Sequence, residues 1–239
     1  MSQRTVEEYL ETIGALEDSE SPVSTTSIAQ NMGVSMASVS EMLHRLSVKG
    51  LVSYTPYGGS TLTDEGEQRF LRLTRRHRLW EVFLTRYLGI GWEDVYDHAC
   101  SLEHATTDLV ADKLASFLDN PEFCPHGSPI PKKNLKRQNI TGTTMADLEI
   151  GQSARVLRII TERNPDFLRY LSSLELTPGT RIKVLNKAPY DGTLAIEVNG
   201  AGKAIGKEAA NLIMVKPYAT AHKDSGTPVP QAPQQTQLL

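Results

Sequence analysis

Apolar side chains recur at Val6, Tyr9, Leu10, Ile13 and Leu16, the three-and-four spacing of one helical face over residues 5–17. A short helix from about Thr25 to Met32 follows, then a turn at Gly33 and a helix from about Met36 to Lys49. Ser35 stands where its hydroxyl can accept a hydrogen bond from the first turn. In the longer helix Val39, Met42, Leu43 and Leu46 form the apolar stripe. After Gly50, "LVSYTPYGGSTLT" alternates as two short strands about a turn at Tyr57-Gly58-Gly59. Thr63 can cap the next helix, with Asp64 and Glu65 at the positive end of its dipole, and periodicity carries it to about Tyr87. A further helix is predicted from Trp92 to Leu118.

The pattern then changes. "DNPEFCPHGSPIPKKNLKRQNITGTT" is rich in Pro, Gly and polar residues and predicts a linker. From Met145 to Tyr218 short alternating runs, "SARVLRII", "TRIKVL", "TLAIEV" and "LIMVKP", predict a small β-barrel with one helix near Phe167 to Leu174. The predicted fold is α+β. Residues 1–73 are expected to form a winged helix-turn-helix, 74–126 a helical domain, 127–147 a linker, 148–219 a small β-barrel and 220–239 a disordered tail.

Composition narrows the setting. No apolar run reaches the roughly 18 residues that a bilayer span needs, and the start, "MSQRTVEEYLETIG", is acidic where a signal peptide would be basic. A cytoplasmic protein without a membrane partner is expected, with Cys100 and Cys124 as free thiols or ligands. The net charge of −3 argues against coating nucleic acid by charge alone.

The order helix, short helix, turn, longer helix and hairpin is that of a winged DNA reader, although a small helical domain with a hairpin gives the same order. It leaves Ser35, Ala37, Ser38, Ser40, Glu41 and Arg45 facing outward, with Lys49 and the hairpin Tyr57 beside them, as candidate DNA-contacting residues. Between Thr25 and Leu62 the only basic residues are Arg45 and Lys49, so helix N-termini, hydroxyls and two-fold avidity must supply much of the grip. The arginines of "RFLRLTRRHR" fit phosphate contacts or a solvated helix face equally well.

In "HACSLEH", Cys100, Glu103 and His104 offer a thiol, a carboxylate and an imidazole from one helical turn. Three ligands from one turn hold a divalent ion poorly unless other segments complete the shell. Glu8 and Glu11 in the first helix, His77 and Glu81 in "RRHRLWE", and Cys124 and His126 in "FCPHG" are candidates. His98 lies about 200° around the helix from Cys100 and falls outside that cluster. Each pair alone also reads as an ordinary solvated face. A Cys100 nucleophile with His104 as base is conceivable, but no oxyanion loop accompanies it, so no enzyme and no small organic substrate are expected.

Taken in order, "EYLETI", the winged reader, "RRHRLWEVFL", "HACSLEHA", "CPHGSPIP" and "LSSLELTPGTRIKVL" resemble the diphtheria toxin repressor family of metal-dependent regulators, over about Thr5 to Tyr218. The last stretch is similar to the ferrous-transport-A type of SH3-like domain. The resemblance implies a homodimeric repressor of metal-uptake genes that binds a palindromic operator, with 74–126 as a helical dimerisation and metal-binding domain, 148–219 as an SH3-like barrel, and two metal sites per subunit. Carried over by position, the first site is Glu8, Glu11, Cys100, Glu103 and His104. The second is His77, Glu81, Cys124 and His126 with an acid from the barrel, Asp166, or Glu162 behind it. The carboxylates at 8 and 11 match manganese-type members, whereas Cys100 matches iron-type members. The implied metal is Mn2+, with Fe2+ the alternative. An accessory module of a metal transporter is the remaining alternative from another class, favoured if the barrel dominates.

Overall fold

The computed structural model describes residues 2–138 and 140–218; the tail expected to be disordered at 220–239 lies outside the described residues. Helices α1 (Gln3–Leu16), α2 (Thr25–Met32) and α3 (Met36–Val48) and the antiparallel strands β1 (Val52–Thr55) and β2 (Gly59–Leu62) form the winged reader. Ser35 Oγ accepts from the Ser38 N–H at 3.1 Å, so α3 starts where its cap dictates. The stripe dictates its orientation: Val39, Leu43 and Leu46 are fully buried against Leu10, Ile13 and Ile28. Ser35, Ala37, Ser38, Glu41, Arg45 and Lys49 are exposed, while Ser40, expected outward, is half-buried because it follows Val39 toward the core. Tyr57 projects fully into solvent from the wing tip.

Thr63 caps α4 (Asp64–Leu88), accepting from Gly66 N–H at 3.1 Å and donating to the Gly50 carbonyl at 2.7 Å. Gly66 is required here, because a Cβ would lie 2.0 Å from the Leu51 carbonyl oxygen. This helix of 25 residues is about 37 Å long and runs through the whole helical layer.

The single helix expected over Trp92 to Leu118 is instead two, α5 (Val95–Glu103) and α6 (Asp108–Phe117). Thr107 Oγ1 caps α6 at the Val110 N–H, and Thr106 Oγ1 donates back to the Leu102 carbonyl while accepting from Trp80 Nε1 at 2.7 Å. Hydroxyls that bond backbone locally favour a helix start over helix continuation. Val95 and Ala99 of α5 are wholly buried against Leu84 of α4. Leu109 and Phe117 of α6 are exposed, and the Phe117 ring lies 5.0 Å from that of Tyr87 and 6.1 Å from that of Phe83.

Strands β3 (Thr143–Thr144), β4 (Ser153–Ile159), β5 (Arg181–Lys187), β6 (Leu194–Val198), β7 (Ala201–Ile205) and β8 (Ile213–Pro217) pair antiparallel in the order β3-β8-β4-β5-β6-β7. Helices α7 (Pro165–Ser173) and α8 (Lys207–Asn211) accompany this SH3-like sheet, whose core includes Val156, Ile159, Leu168, Val184, Ile196 and Val215. Among the described residues the ladder is open between β3 and β7. Bulges after Val156 and Val184 let β4 and β5 bend.

The expected boundary at 148 is too late, since Thr143 and Thr144 already pair with Val215 and Met214. Nor is 127–147 a free linker: residues 127–131 are buried, closed by an isolated bridge between Phe123 and Pro129. Trp92 Nε1 donates to Ser172 Oγ at 2.8 Å and fastens the helical layer to α7.

Candidate metal centre

Two clusters of ligand-type side chains stand at the junction of α1, α4, α5 and the segment after α6. In the first, ligand atoms of Cys100, Glu103 and His104 all lie within 4.8 Å of one another. The α5 turn supplies them, and packing of α5 on α4 buries Glu103 completely. His104 Nδ1 meets Glu7 Oε2 of α1 at 2.7 Å, and its Nε2 lies 3.4 Å from Glu103 Oε1. Glu11 is half-buried and lines the same cavity as His77 and Tyr96. In the second cluster Glu81, Cys124 and His126 converge within 4.8 Å, all buried. His126 Nε2 bonds to the Trp92 carbonyl at 2.7 Å, which turns Nδ1 toward Glu81 Oε1 at 3.1 Å.

His77 joins the two. Its Nδ1 lies 2.6 Å from Glu103 Oε2 and its Nε2 3.3 Å from Glu81 Oε1. The expected His77/Glu81 pair is therefore present, but His77 belongs as much to the first cluster as to the second. Burial alone would lower the His77 pKa; Glu81 and Glu103 more than reverse this and hold it at about 10. Burial and then the charge of Glu103 raise Glu11 to about 8, and burial with Glu103 and Glu11 pushes the Cys100 thiol up to about 12. Burial would raise Glu81 as well, but His77 and His126 hold it far below the usual carboxylate range. At neutral pH protons on His77, Glu11 and Cys100 thus offset a crowd of acids.

The donor set fits a divalent cation. Both oxygens of Glu81, Glu103 Oε1 and His104 Nε2 are buried without a well-directed hydrogen bond, and the Nε2–H of protonated His77, 3.3 Å from Glu81 Oε1, also lacks one. Unsatisfied buried acceptors of this kind are costly unless something positive meets them. Imidazole, thiol and carboxylate together suit a first-row transition metal.

Other expected positions fall differently. Glu8 pairs with Arg4 at 3.0 Å, and Glu7, which the sequence reading passed over, reaches His104 instead. The signal was present, because Glu7 and Glu11 are four apart and share a helix face better than Glu8 and Glu11 do. Asp166 does not approach the second cluster: it is exposed on the first turn of α7 and paired with Arg169 at 2.9 Å. Glu162 is the acid at hand, accepting from Ser128 Oγ and adding negative charge around Cys124 and His126. Cys100 and Cys124 are free thiols, as expected. His98 is exposed.

The "RFLRLTRRHR" arginines are largely used internally. Arg69 pairs with Glu65, Arg76 with Asp108, and Arg75 and Arg78 hold backbone carbonyls after α6. No helix among the described residues is long and apolar enough to cross a membrane.

Three family models match in sequence: the iron-dependent repressor N-terminal DNA-binding domain over 1–60, the iron-dependent repressor metal-binding and dimerisation domain over 63–132, and the FeoA domain over 143–217. The diphtheria toxin repressor of Corynebacterium efficiens is 30% identical over 221 residues, covering 89% of this chain and 95% of that one. The iron-dependent repressor IdeR of Mycobacterium leprae is 28% identical over 223 residues, 89% of this chain and 96% of its own. Among solved structures, a manganese-dependent transcriptional repressor in complex with manganese superposes with a TM-score of 0.82 at 33% identity, over 89% of this chain and all (100%) of that one. ScaR with bound Zn2+ gives 0.76 at 31% identity, over 88% of this chain and 98% of its own.

Proposed function

Since this chain belongs to the diphtheria toxin repressor family of metal-dependent DNA-binding transcriptional repressors, we propose that it is a cytoplasmic, manganese-responsive repressor of metal-uptake genes that grips a palindromic operator. It is a homodimeric DNA-binding regulator and not an enzyme. The observation that carries the manganese reading is the acid-rich first cluster, where Glu7 and Glu11 of α1 face Glu103 and His104 of α5. Oxygen donors of this kind suit a hard divalent ion. Iron is the second reading, favoured by the thiols of Cys100 and Cys124.

A bound divalent cation supplies the positive charge that the protons on His77, Glu11 and Cys100 otherwise provide. The chain's own residues do the rest. Glu7 and Glu11 draw α1 toward α5, and because Leu10 and Ile13 of α1 lie in the reader's core, the reader moves with it. The first cluster would comprise Glu11, Cys100, Glu103 and His104 with Glu7 or Glu8; the second Glu81, Cys124, His126 and Glu162, with His77 between them.

Ser35, Ala37 and Ser38 at the start of α3 would lie nearest the major-groove edges, with Ser40 behind them. Glu41 and Arg45, paired to each other, Lys49 and the wing Tyr57 would meet the flanking backbone. Subunit pairing would use the exposed Tyr87, Leu88, Leu109 and Phe117.

The test is operator DNA selected from random sequence with Mn(II), then fluorescence anisotropy against Mn(II), Fe(II) and Zn(II). Binding should need metal, with Mn(II) effective at the lowest concentration, and Glu103→Gln should need far more of it. Equal binding with chelator present would overturn the reading.

A further inference from the structure

Beyond α6 the chain turns back along α4 and runs antiparallel to it. Arg78 Nη1 donates to the Pro129 carbonyl at 2.6 Å, Arg75 Nη1 to that of Pro131 at 2.9 Å, and Gln68 Nε2 to that of Leu135 at 3.2 Å. At the far end Arg137 forks onto Glu67 of α4, Nε to Oε1 at 3.0 Å and Nη2 to Oε2 at 2.8 Å. The same guanidinium reaches α1 and its C-terminal end. Nη1 donates to the Gly14 carbonyl at 3.0 Å and to Asp18 at 2.9 Å, and Nη2 donates to Glu17 at 3.3 Å. Glu17 in turn accepts the Leu62 N–H of the wing strand β2 at 2.8 Å. All of the donor capacity of a guanidinium is thereby used, on α4 and on α1 with the two residues that follow it, and Glu17 extends the contact to β2.

Glu17, Asp18 and Glu67 would repel one another at this junction if Arg137 were removed. Gly14 adds a geometric reason for the contact, since a Cβ there would sit 2.7 Å from the ring of Phe70 on α4. The two helices touch at this point, which makes it the fulcrum of any tilt of α1 against α4. From residue 17 back to residue 7 is about 15 Å of helix, so a small loosening here is magnified at the first cluster.

We infer that Arg137 is a positioning residue for the metal response, a clasp that pins the C-terminal end of α1 to α4 so that Glu7 and Glu11 face α5 before a cation arrives. The inference rests on the reading that a cation ties α1 to α5. Arg137 touches no ligand-type atom of either cluster in this arrangement; it acts through the helix.

The test compares wild type, Arg137→Ala, Glu67→Gln and the double variant in the full chain. Three quantities are read: the Mn(II) concentration for half-maximal operator binding, Mn(II) stoichiometry by equilibrium dialysis without DNA, and hydrogen exchange of the α1 amides without metal. Arg137→Ala should need about tenfold more Mn(II), within the usual range of coupling between sites. Its stoichiometry and its binding at saturating Mn(II) should be unchanged, and its α1 amides should exchange faster.

Glu67→Gln alone should shift the midpoint the same way by less. In the Arg137→Ala background it should shift it back, because there it removes repulsion and not a partner. That reversal of sign is what a merely structural role would not produce. Unchanged midpoints, a loss of operator binding that saturating Mn(II) does not restore, or additive effects of the two substitutions would each overturn the inference. If Arg137→Ala fails to fold, Glu67→Gln alone decides it. A wild type indifferent to Mn(II) would defeat the functional reading, whereas a responsive wild type with an equally responsive Arg137→Ala defeats only the clasp.

Discussion

Raising the pH from 7 to 8 should strengthen Mn(II) binding far more than simple carboxylate sites would, because the metal-free clusters are held together by protons. With a pKa of about 8, Glu11 is about nine-tenths protonated at pH 7. His77, at about 10, is fully protonated between Glu81 and Glu103, and Cys100, at about 12, is a thiol. Cation binding must expel the first two protons, and the third wherever the thiolate becomes a ligand. About two to three protons should therefore leave per first-cluster cation at pH 7, and affinity should rise about 50-fold or more between pH 7 and 8. Calorimetry in buffers of equal pH and different ionisation enthalpy counts the protons directly, and Glu11→Gln should lower the count at pH 7 by about one.

The same groups set an opposite slope for the metal-free fold. His77 and Glu11 bind protons more tightly folded than unfolded, so their contribution is complete at low pH. It is lost as pH rises, across about 6.5 to 10 for His77 and about 4.5 to 8 for Glu11. Between pH 7 and 8 this amounts to about 2 kcal/mol of lost stability, or a fall in melting temperature of about 4–8 °C that saturating Mn(II) should abolish. Release of less than one proton, together with a flat metal-free melting profile, would refute the proton-placeholder account.

Glu162→Ala should cost the second cluster at least tenfold in metal affinity by equilibrium dialysis, while Asp166→Ala, out on α7, should leave it unchanged. Phe117→Ala, which removes the exposed ring beside Phe83 and Tyr87, should weaken subunit association about tenfold or more in sedimentation equilibrium; an unaltered dimer would remove that patch from the interface. Gly14→Ala should destabilise the metal-free protein by about 1–3 kcal/mol in urea melts, since its Cβ must displace the Phe70 ring.

Where cap and period agree, the sequence was sufficient: Ser35 before the Val39–Leu43–Leu46 stripe and Thr63 before α4 left little freedom, and the reader follows. The break at 104–107 was hidden because the apolar positions of α5 and α6 run on across it; only the two adjacent threonines mark it. The bond between His77 and Glu103 spans 26 positions and is created by α4 packing on α5, which no local spacing encodes. The run 129–138 reads as linker because its tether is mostly backbone carbonyls, invisible in a list of side chains. Asp166 misled for a related reason. Ile159 N–H donates to the His126 carbonyl at 3.0 Å, so the chain leaving β4 passes the second cluster at Glu162 and is already in α7 by 166.

The division of α5 from α6 changes which element carries the signal. A continuous rod from 92 to 118 would have joined metal ligands directly to subunit contacts. In the two-helix arrangement α5 bears Cys100 and Glu103, with His104 at its C-terminal cap touching the reader through Glu7 of α1, while α6 bears Leu109 and Phe117. Helix α4 spans the distance: Glu67 is in the clasp, His77 between the clusters, Glu81 in the second, and Phe83 and Tyr87 beside the exposed aromatic patch. From 67 to 87 is about 30 Å of regular helix. With one end of this lever at the proposed pairing surface and the other against α1, a displacement fixed at His77 would be transmitted along α4 without a jointed path. The spacing of two readers can thus respond to charge at its midpoint.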